Sequence, residues 1–593
     1  MKEIAVGTAQ TQEIGTTLFG WPGSSNGWSA SFSRPSSILT ARNLDEVIPL
    51  LQCAEKAALA GNYVALLLCY EAAPVFDPAF LTHSPSSLPL AWAAVFPSIS
   101  EAGLPFHVGS YSAGEWSTQI SRGTYDTAID RIRELIAAGH TYQVNFSIPL
   151  NSVFSGDSLT WYQDLCLAQG AQFSAFLDIG DYQILSISPE LFFERNGSVV
   201  RARPMKGTIK RGRWFAEDQA LASWLATSSK DRAENVMIVD LLRNDLGKVS
   251  VNGSVSVKSL FDIERFETVW QMTSTVESIL KPGIGLVDLM RALFPCGSIT
   301  GAPKIRTMEI IRDLEKSPRG AFTGTIGLLR PGGDCTFNVA IRTVVLDKHR
   351  GEATFRVGGG ITIDSTADSE YEECLAKAHF LSIAPKTFKL FETILLEEGE
   401  YFLLDSHFER LRNSAAYFGF ECLDNKITSQ LEGLRNKRRE GKWKVKLTLS
   451  NDGSISLDCS DLSQLDYGRS LRLALARSPV DSSDRFLFHK TTLRDFYDSE
   501  LQVQPDCDDI LFYNERGEIT ESTIANVVVE LDNKLVTPAI EAGLLAGTFR
   551  NALISNGEIE EQTIKIEELK KASHIFLINS VRKWMGATMS DML

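Results

Sequence analysis

The sequence predicts a mixed α/β chain of the α+β kind, on three observations: helical and strand periodicities alternate along its whole length, no repeat of solenoid period is visible, and the alternation restarts after Pro385. Asp126 to Ala138 places Ile129, Ile132 and Ile136 at helical spacing and stops at Gly139. The following "TYQVNFSIPL" alternates Tyr142, Val144, Phe146, Ile148 and Leu150 with strand period. Mixed elements continue to "YEECLAKAHFLSIAPK", where Pro385 ends a helix. A new unit then opens with the strand "FKLFETILL", a helix over Ser406 to Phe418, and the strands "KWKVKLTLS" and "SLRLALAR". The domain boundary is expected near Ala384, dividing the chain into residues 1–384 and 385–593.

With 593 residues, 44% hydrophobic and 22% charged, the chain has the composition of a globular protein. Apolar runs such as "YVALLLCY" are too short to span a bilayer, and "MKEIAVGTAQTQEIG" lacks the apolar core of a secretory signal. A soluble, cytoplasmic protein is expected. The nine cysteines form no Cys-x-x-Cys pair, which argues against a disulfide framework or a structural zinc site. A net charge of −15 disfavours nucleic acid as a partner and leaves small anions only where basic residues cluster. Such a cluster is "RARPMKGTIKRGR", Arg201 to Arg213, with six basic side chains.

Two acidic pairs stand at helical spacing in the first half: Asp231 with Glu234, and Glu370 with Glu373. Taken singly, each is explained by the helix dipole, and Ser369 with Glu372 reads as a capping box. Taken together, two facing pairs suit Mg²⁺, which prefers hard oxygen ligands and keeps several from water and substrate. "GSITGAPK" reads as a turn with Pro303 opening a helix whose free N–H groups suit an anion. Gly358-Gly359-Gly360 reads either as a β-bulge or as backbone opened to a carboxylate.

Six ordered segments, "SISPELFFER", "RPMKGT", "DRAENVMIVDLLRNDLGKV", "CGSITGAPK", "FNVAIRT" and "RVGGGITIDSTADSEYEECLAKA", resemble the chorismate-utilising enzymes over roughly residues 20 to 380. The family contains anthranilate, aminodeoxychorismate, isochorismate and salicylate synthases. The resemblance implies a large two-sheet domain wrapped by helices. It also implies Mg²⁺ ligation by Glu234 and Glu373 with Asp231 and Glu370 acting through water, and carboxylate binding by Ser298, Arg342 and the amides of Gly358, Gly359 and Gly360. Glu190 corresponds to the general acid. Lys206 stands where anthranilate synthases usually carry alanine and aminodeoxychorismate synthases carry lysine; there it attacks C2 of chorismate. Burial and the neighbouring Arg201, Arg203, Lys210, Arg211 and Arg213 are expected to lower its pKa. Gln271 and Phe322 replace the family's usual histidine and tyrosine at substrate-binding positions, and a glutamine cannot shuttle a proton.

The second half resembles the fold type IV pyridoxal phosphate enzymes, which implies two α/β subdomains. The resemblance rests on "LLDSHFERLRNSAAYFGF", "FLFHKTTLRDFYD", "NERGEITESTIANVVV", "GLLAGTFR" and "LINSVRKWMGA". It implies pyridoxal 5'-phosphate held by Arg410 and Thr548, with Lys490 as the Schiff-base lysine and Glu521 paired to the pyridinium nitrogen. Arg410 by itself reads as an ordinary arginine on a helix opened by a Ser406-to-Glu409 capping box. Lys583 stands where relatives often have glycine.

Together the two resemblances imply amination of chorismate at C4 followed by pyruvate elimination to 4-aminobenzoate, for folate. No nucleophile-elbow cysteine followed by histidine occurs in either half, so ammonia is expected from a separate glutamine amidotransferase subunit. No membrane partner is expected, and assembly as a homodimer through the second half is left open. The rival readings are an anthranilate or isochorismate-type synthase fused to a branched-chain or D-amino-acid aminotransferase, and a non-catalytic regulatory fusion.

Overall fold

The structure, a computed structural model, describes residues 17–21, 27–99, 109–170, 172–382, 386–462 and 469–590. It divides into two compact units: Met1–Lys210 with Ser223–Pro385, and Arg211–Ala222 with Lys386–Leu593. The expected boundary at Ala384 lies outside the described residues, as does Pro385.

In the first unit, two large sheets share an apolar interior, and helices cover the outer face of each. One sheet runs through Gly301–Ala302, Gln143–Gly156, Glu352–Ile361, Thr343–Asp347, Tyr182–Ser188, Phe173–Asp178, Thr17–Trp21 and Trp28–Phe32. The other runs from Met205–Lys210 through Val269–Ile279, Val199–Arg203, Leu191–Asn196, Cys335–Val339, Thr325–Leu329, Tyr63–Leu68 and Ala91–Phe96 to Ser37–Ala41. Phe19, Trp21, Leu67, Trp92, Phe173, Ile184 and Leu328 fill the space between the sheets.

The apolar run "YVALLLCY" has its explanation here. Along Tyr63–Leu68, Ala65 and Leu67 face the other sheet, while Val64, Leu66 and Leu68 face the helices Leu44–Leu59 and Leu286–Leu293. A strand buried on both faces needs no polar alternation. In Gln143–Gly156, by contrast, Val144, Phe146, Ile148 and Leu150 enter the outer core while the buried polar Gln143, Asn145 and Ser147 alternate with them. Tyr142 precedes this strand and is 73% exposed, so it is not part of the apolar face. Among the described residues no helix is long and apolar enough to cross a membrane.

The second unit contains a four-stranded sheet, Glu400–Tyr401, Leu390–Glu397, Lys442–Leu449 and Ile455–Asp461, packed against the helices Leu404–Phe418 and Asp424–Lys437. A second sheet pairs Ile519–Ser522 with both Asp509–Tyr513 and Asn526–Leu531, closing six strands into a ring around Leu473, Leu511, Val527 and Leu577. Residues 211–222 belong to this unit, although the sequence groups them with the first half. Arg211 pairs with Asp218 at 2.7 Å and lies 4.4 Å over the Tyr417 ring, while Trp214 meets Phe488 at 5.2 Å.

Several local expectations shift. The helix carrying Glu370 and Glu373 is Ala367–Ala378 and is capped by the Thr366 side chain, so Ser369 is not its cap. Ser369 instead donates its backbone N–H to Thr366. The helix expected from Ser406 begins at Leu404, after Leu403 at φ 54°, because apolar Leu404 joins the core and the chain enters from a left-handed residue. Pro303 occupies the cap position, one residue before Lys304–Leu314. The helix that carries Asp231 and Glu234 is Ser229–Val249 and passes through Gly247 without ending there.

Candidate active sites

In the first unit, a cavity of about 620 Å³ brings together Glu190, Lys206, Asp231, Glu234, Gln271, Ser298, Phe322, Arg342, Gly358, Gly359, Gly360, Glu370 and Glu373. Every residue that the resemblance assigned to substrate, acid, amine or metal in this half lines it, whereas Arg201, Arg203, Arg211, Arg213 and Pro303 do not. The basic strand Met205–Lys210 supplies Lys206 through a bulge: Met205 is opposite Thr273 and Thr208 is opposite Gln271, so one extra residue is accommodated beside Lys206. Gly207 makes this conformation accessible at φ +96°, and a Cβ there would come 2.9 Å from Asp231 Cβ. Gln271 braces the bulge, donating to Gly207 O at 2.7 Å and accepting from Thr208 Oγ1 at 2.8 Å. Asn235 Nδ2 donates to Lys206 O at 3.3 Å, tying the strand to the helix Ser229–Val249 that carries Asp231 and Glu234.

Burial lowers the Lys206 pKa and Lys377 adds to that effect, while Glu234, Glu190 and Glu373 oppose it. The arginines of the basic stretch are occupied elsewhere. Arg201 pairs with Glu194 at 3.0 Å, Arg203 with Glu264 at 3.2 Å, and Arg213 with Glu217 at 3.0 Å. The expectation that they bias Lys206 is therefore replaced by desolvation as the main cause. Burial likewise raises Glu190 to about 7, against the opposing effects of Ser298 and Lys206. Ser298 Oγ donates to Glu190 Oε1 at 2.7 Å. A carboxyl group poised near neutrality can hold a proton and release it.

Arg342 sits at φ 49° between two strands, and burial alone pushes it down to about 10. It donates to the Gln169 side chain, and no carboxylate pairs with it among the described residues. The glycine triplet is not a bulge: Gly358, Gly359 and Gly360 pair in unbroken register with Ser147, Phe146 and Asn145. A Cβ on Gly360 would lie 2.0 Å from Gln143 Nε2 and 2.9 Å from Lys206 Nζ, and one on Gly359 would lie 2.9 Å from Glu370 Oε2. The absence of side chains here leaves room beside the amine and the acids.

Burial raises Glu234 and Glu370, with the like-charged Glu373 adding to both. Burial also pushes Glu373 up, but Lys377 at 2.6 Å, Lys206 and Lys230 outweigh it and hold this carboxyl below its usual value. Among the described residues no group of three or more His, Cys, Asp and Glu side chains forms a ready metal cage. Glu234, Glu370 and Glu373 nonetheless line one cavity as hard oxygen donors that raise one another's charge cost, a set that fits a divalent cation taking part of its shell from water and substrate. Phe322 packs at the wall, its ring 5.7 Å from the Arg319 guanidinium. Lys230, Lys377 and Gln143, whose buried amide has no hydrogen-bond partner among the described residues, were not nominated from the sequence. Of these, the Glu373-to-Lys377 spacing of four was readable as a helical ion pair.

In the second unit, Arg410, Lys490, Glu521 and Thr548 line one cavity of about 340 Å³. Burial and the Arg410 charge lower Lys490 to about 8. Glu521 lies on Ile519–Ser522, accepts from Tyr497 Oη at 2.9 Å and from the Leu545 amide at 3.1 Å, and is raised by burial to about 7. Thr548 opens the helix Thr548–Ser555 and meets His407 Nε2 at 3.3 Å. Gly547 is needed there, since a Cβ would stand 2.1 Å from Asn526 Oδ1. Arg410 pairs with Glu392 at 2.5 Å. Burial pushes Glu392 up, but Arg410 and His407 outweigh it and hold it at about 2. A reactive amine, a buried carboxyl without a cationic partner among the described residues, an arginine and a helix N-terminus make a donor set that fits pyridoxal phosphate. Lys583 adopts φ 57°, where glycine is at ease, and its amine lies 3.6 Å from Glu397.

The chain belongs to the chorismate binding enzyme family, whose sequence profile matches residues 50–382. It is 38% identical over 293 residues to aminodeoxychorismate synthase component 1 of Bacillus subtilis, covering 49% of this chain and 61% of that relative. The protein of the same name from Escherichia coli is 42% identical over 265 residues, covering 45% of this chain and 58% of the relative. The chain thus matches about three fifths of the length of each of these relatives. Residues 389–589 match a second profile, amino-transferase class IV, so one chain joins two enzyme domains. The fold of the first is shared with anthranilate synthase component I of Streptococcus pneumoniae, with a TM-score of 0.51 at 24% identity, covering 62% of this chain and 90% of that one.

Proposed function

We propose that the first unit aminates chorismate at C4 and that the second eliminates pyruvate from the product, giving 4-aminobenzoate. The observation that carries the reading is Lys206: an amine with a lowered pKa, held on a glycine-dependent bulge, in one cavity with a Glu190 carboxyl raised to about 7.

Arg342, a half-buried cation without a carboxylate partner among the described residues, takes one substrate carboxylate, with Ser298 and the amides of Gly358 to Gly360 nearby. Glu190 gives its proton to the departing C4 hydroxyl, which leaves as water, while unprotonated Lys206 forms a bond to C2. Ammonia then attacks C4, and the Lys206–C2 bond breaks to return the amine. Magnesium, held by Glu234 and Glu373 with Asp231 and Glu370 acting through water, supplies positive charge that offsets a substrate carboxylate.

In the second unit, Arg410 and Thr548 would hold the cofactor phosphate and Glu521 would pair with the ring nitrogen. Bound pyridoxal phosphate supplies the electron sink. Lys490 removes the proton from C4 of the amine substrate, and pyruvate departs as the ring becomes aromatic. The words "component 1" in the relatives' names support a separate glutamine amidotransferase as the source of ammonia.

The test is product analysis of the purified chain with chorismate, Mg²⁺, ammonium and pyridoxal phosphate. The expected product is 4-aminobenzoate. Anthranilate, or an amino acid formed without 4-aminobenzoate, overturns the reading.

A further inference from the structure

A segment encoded in the first half of the sequence is built into the second unit. Arg211–Ala222 lies inside the match to the chorismate-binding profile, residues 50–382, and outside the class IV match at 389–589, yet it packs with Lys386–Leu593. Its opening turn is held from within. Asp218 accepts from Arg211 Nε and Nη2 at 2.7 Å each and from the Gly212 amide at 2.8 Å. Gly212 leaves room for this closure, since a Cβ there would stand 2.2 Å from Asp218 N. A buried, bidentate ion pair makes the turn a fixed piece of structure and not a solvated loop.

Two sets of contacts carry that turn to the residues just before Lys490. Tyr417, on the helix Leu404–Phe418, donates its Oη to Gly212 O at 2.7 Å, and its backbone carbonyl accepts from Arg211 Nη2 at 3.0 Å. The Tyr417 ring, 4.4 Å from the Arg211 guanidinium, also meets the His489 ring at 4.4 Å. Burial holds that imidazole down at about 3, so it is neutral and is fixed by packing and by Ser414 Oγ at 2.9 Å from its Nδ1. Trp214 meets Phe488 at 5.2 Å and joins the apolar cluster of Leu487, Phe488, Ile510 and Phe512. Phe486, Leu487, His489, Lys490 and Thr491 line the second cavity, whereas Phe488 does not. Phe488 is thus the point at which this loop is gripped from behind. The strand Leu390–Glu397 fixes the next backbone group, the Phe391 amide donating to Lys490 O at 3.0 Å.

We infer that Trp214 and the Arg211–Gly212 turn are positioning residues for Lys490: they set Phe488 and His489, and through them the direction in which the Lys490 amine enters the cavity. The second reaction then depends on a segment encoded within the first domain. The inference rests on the reading of this unit as a pyridoxal phosphate enzyme. A reacting group displaced by an ångström or less loses much of its rate, so supports that touch neither cofactor nor substrate still govern turnover.

The test uses the full-length, cofactor-loaded chain and alters Trp214, because removing Arg211 or Asp218 would strand a buried charge and unfold the turn. In Trp214→Ala, kcat for pyruvate release is expected to fall about tenfold with KM within about twofold. The pH at which the cofactor's visible absorbance titrates should move by about half a unit or more, since the Lys490 amine is displaced from its buried position. Amination of chorismate by the same protein should stay within about twofold, and Trp214→Phe should restore most of both lost properties. An unchanged kcat and absorbance titration in Trp214→Ala overturn the inference. So does an equal fall in amination, which would make Trp214 a residue of general stability. A parent chain that never acquires the visible absorbance overturns the pyridoxal phosphate reading, and this inference falls with it.

Discussion

Lys206 and Lys490 are both amines whose pKa is lowered chiefly by burial, yet the largest charge effect on each has the opposite sign. Around Lys206 stand Glu234, Glu190 and Glu373, which oppose the effect of burial. Around Lys490, Arg410 and Arg494 reinforce burial against Glu392 and Glu521, and the amine comes to about 8. The comparison teaches that a reactive lysine can be prepared in either field, and that the field indicates what else must bind. The first cavity, with Asp231, Glu234, Glu370 and Glu373 gathered in it, calls for a cation to accompany an anionic substrate. The basic one calls for anions alone.

Replacing either amine has the largest expected effect. Lys206→Ala should abolish formation of aminodeoxychorismate yet leave pyruvate release from supplied aminodeoxychorismate unchanged, and Lys490→Ala should do the reverse. Loss of both activities in either variant, measured by chromatography of products, would break the separation of the two fields. Glu190→Gln comes next, with amination expected to fall about 10²- to 10⁴-fold. Glu190 must carry its proton to act as an acid. In the parent chain, kcat/KM for chorismate at fixed free ammonia should therefore decline as pH rises through about 7, and the variant should lack that limb.

Chelation sharpens the contrast in charge. EDTA should slow amination at least about tenfold and leave the second reaction untouched, since the cluster Asp231, Glu234, Glu370 and Glu373 lies in the first cavity and the second is lined by Glu521 alone among carboxylates. The smallest effects belong to the glycines. Gly360→Ala should fold normally, because its new methyl meets only the ends of the Gln143 and Lys206 side chains, and should reduce amination by displacing Lys206. In Gly358→Ala the methyl meets Phe146 O at 2.0 Å, so thermal unfolding should instead show a loss of about 1 to 3 kcal/mol.

Much of both sites was legible because the reactive groups sit in short local signatures. Lysine before glycine in "MKGT" is both a chemical and a backbone signal, since the bulge that aims Lys206 needs Gly207 at positive φ. The partners that tune those groups arrive from distant parts of the chain. Glu373 acts on Lys206 from 167 positions away by numbering, and Tyr497, on the helix Asp495–Gln502, reaches Glu521 across 24 positions. The basic stretch misled for a related reason: positive residues close in sequence suggest a common field, but acids on neighbouring strands and helices claim each arginine separately. The capping serine and the helix start at Ser406 were misplaced because Thr366 and Leu403 supply caps that side-chain preference alone does not rank first.

The central claim is that the two lysines serve two complete and separate sites. Mixing the Lys206→Ala and Lys490→Ala proteins with chorismate, ammonium, Mg²⁺ and pyridoxal phosphate tests it most directly. Each variant alone should yield no 4-aminobenzoate, and the mixture should produce it as aminodeoxychorismate passes from one protein to the other. A mixture that stays silent while the Lys490→Ala protein accumulates aminodeoxychorismate would contradict the account.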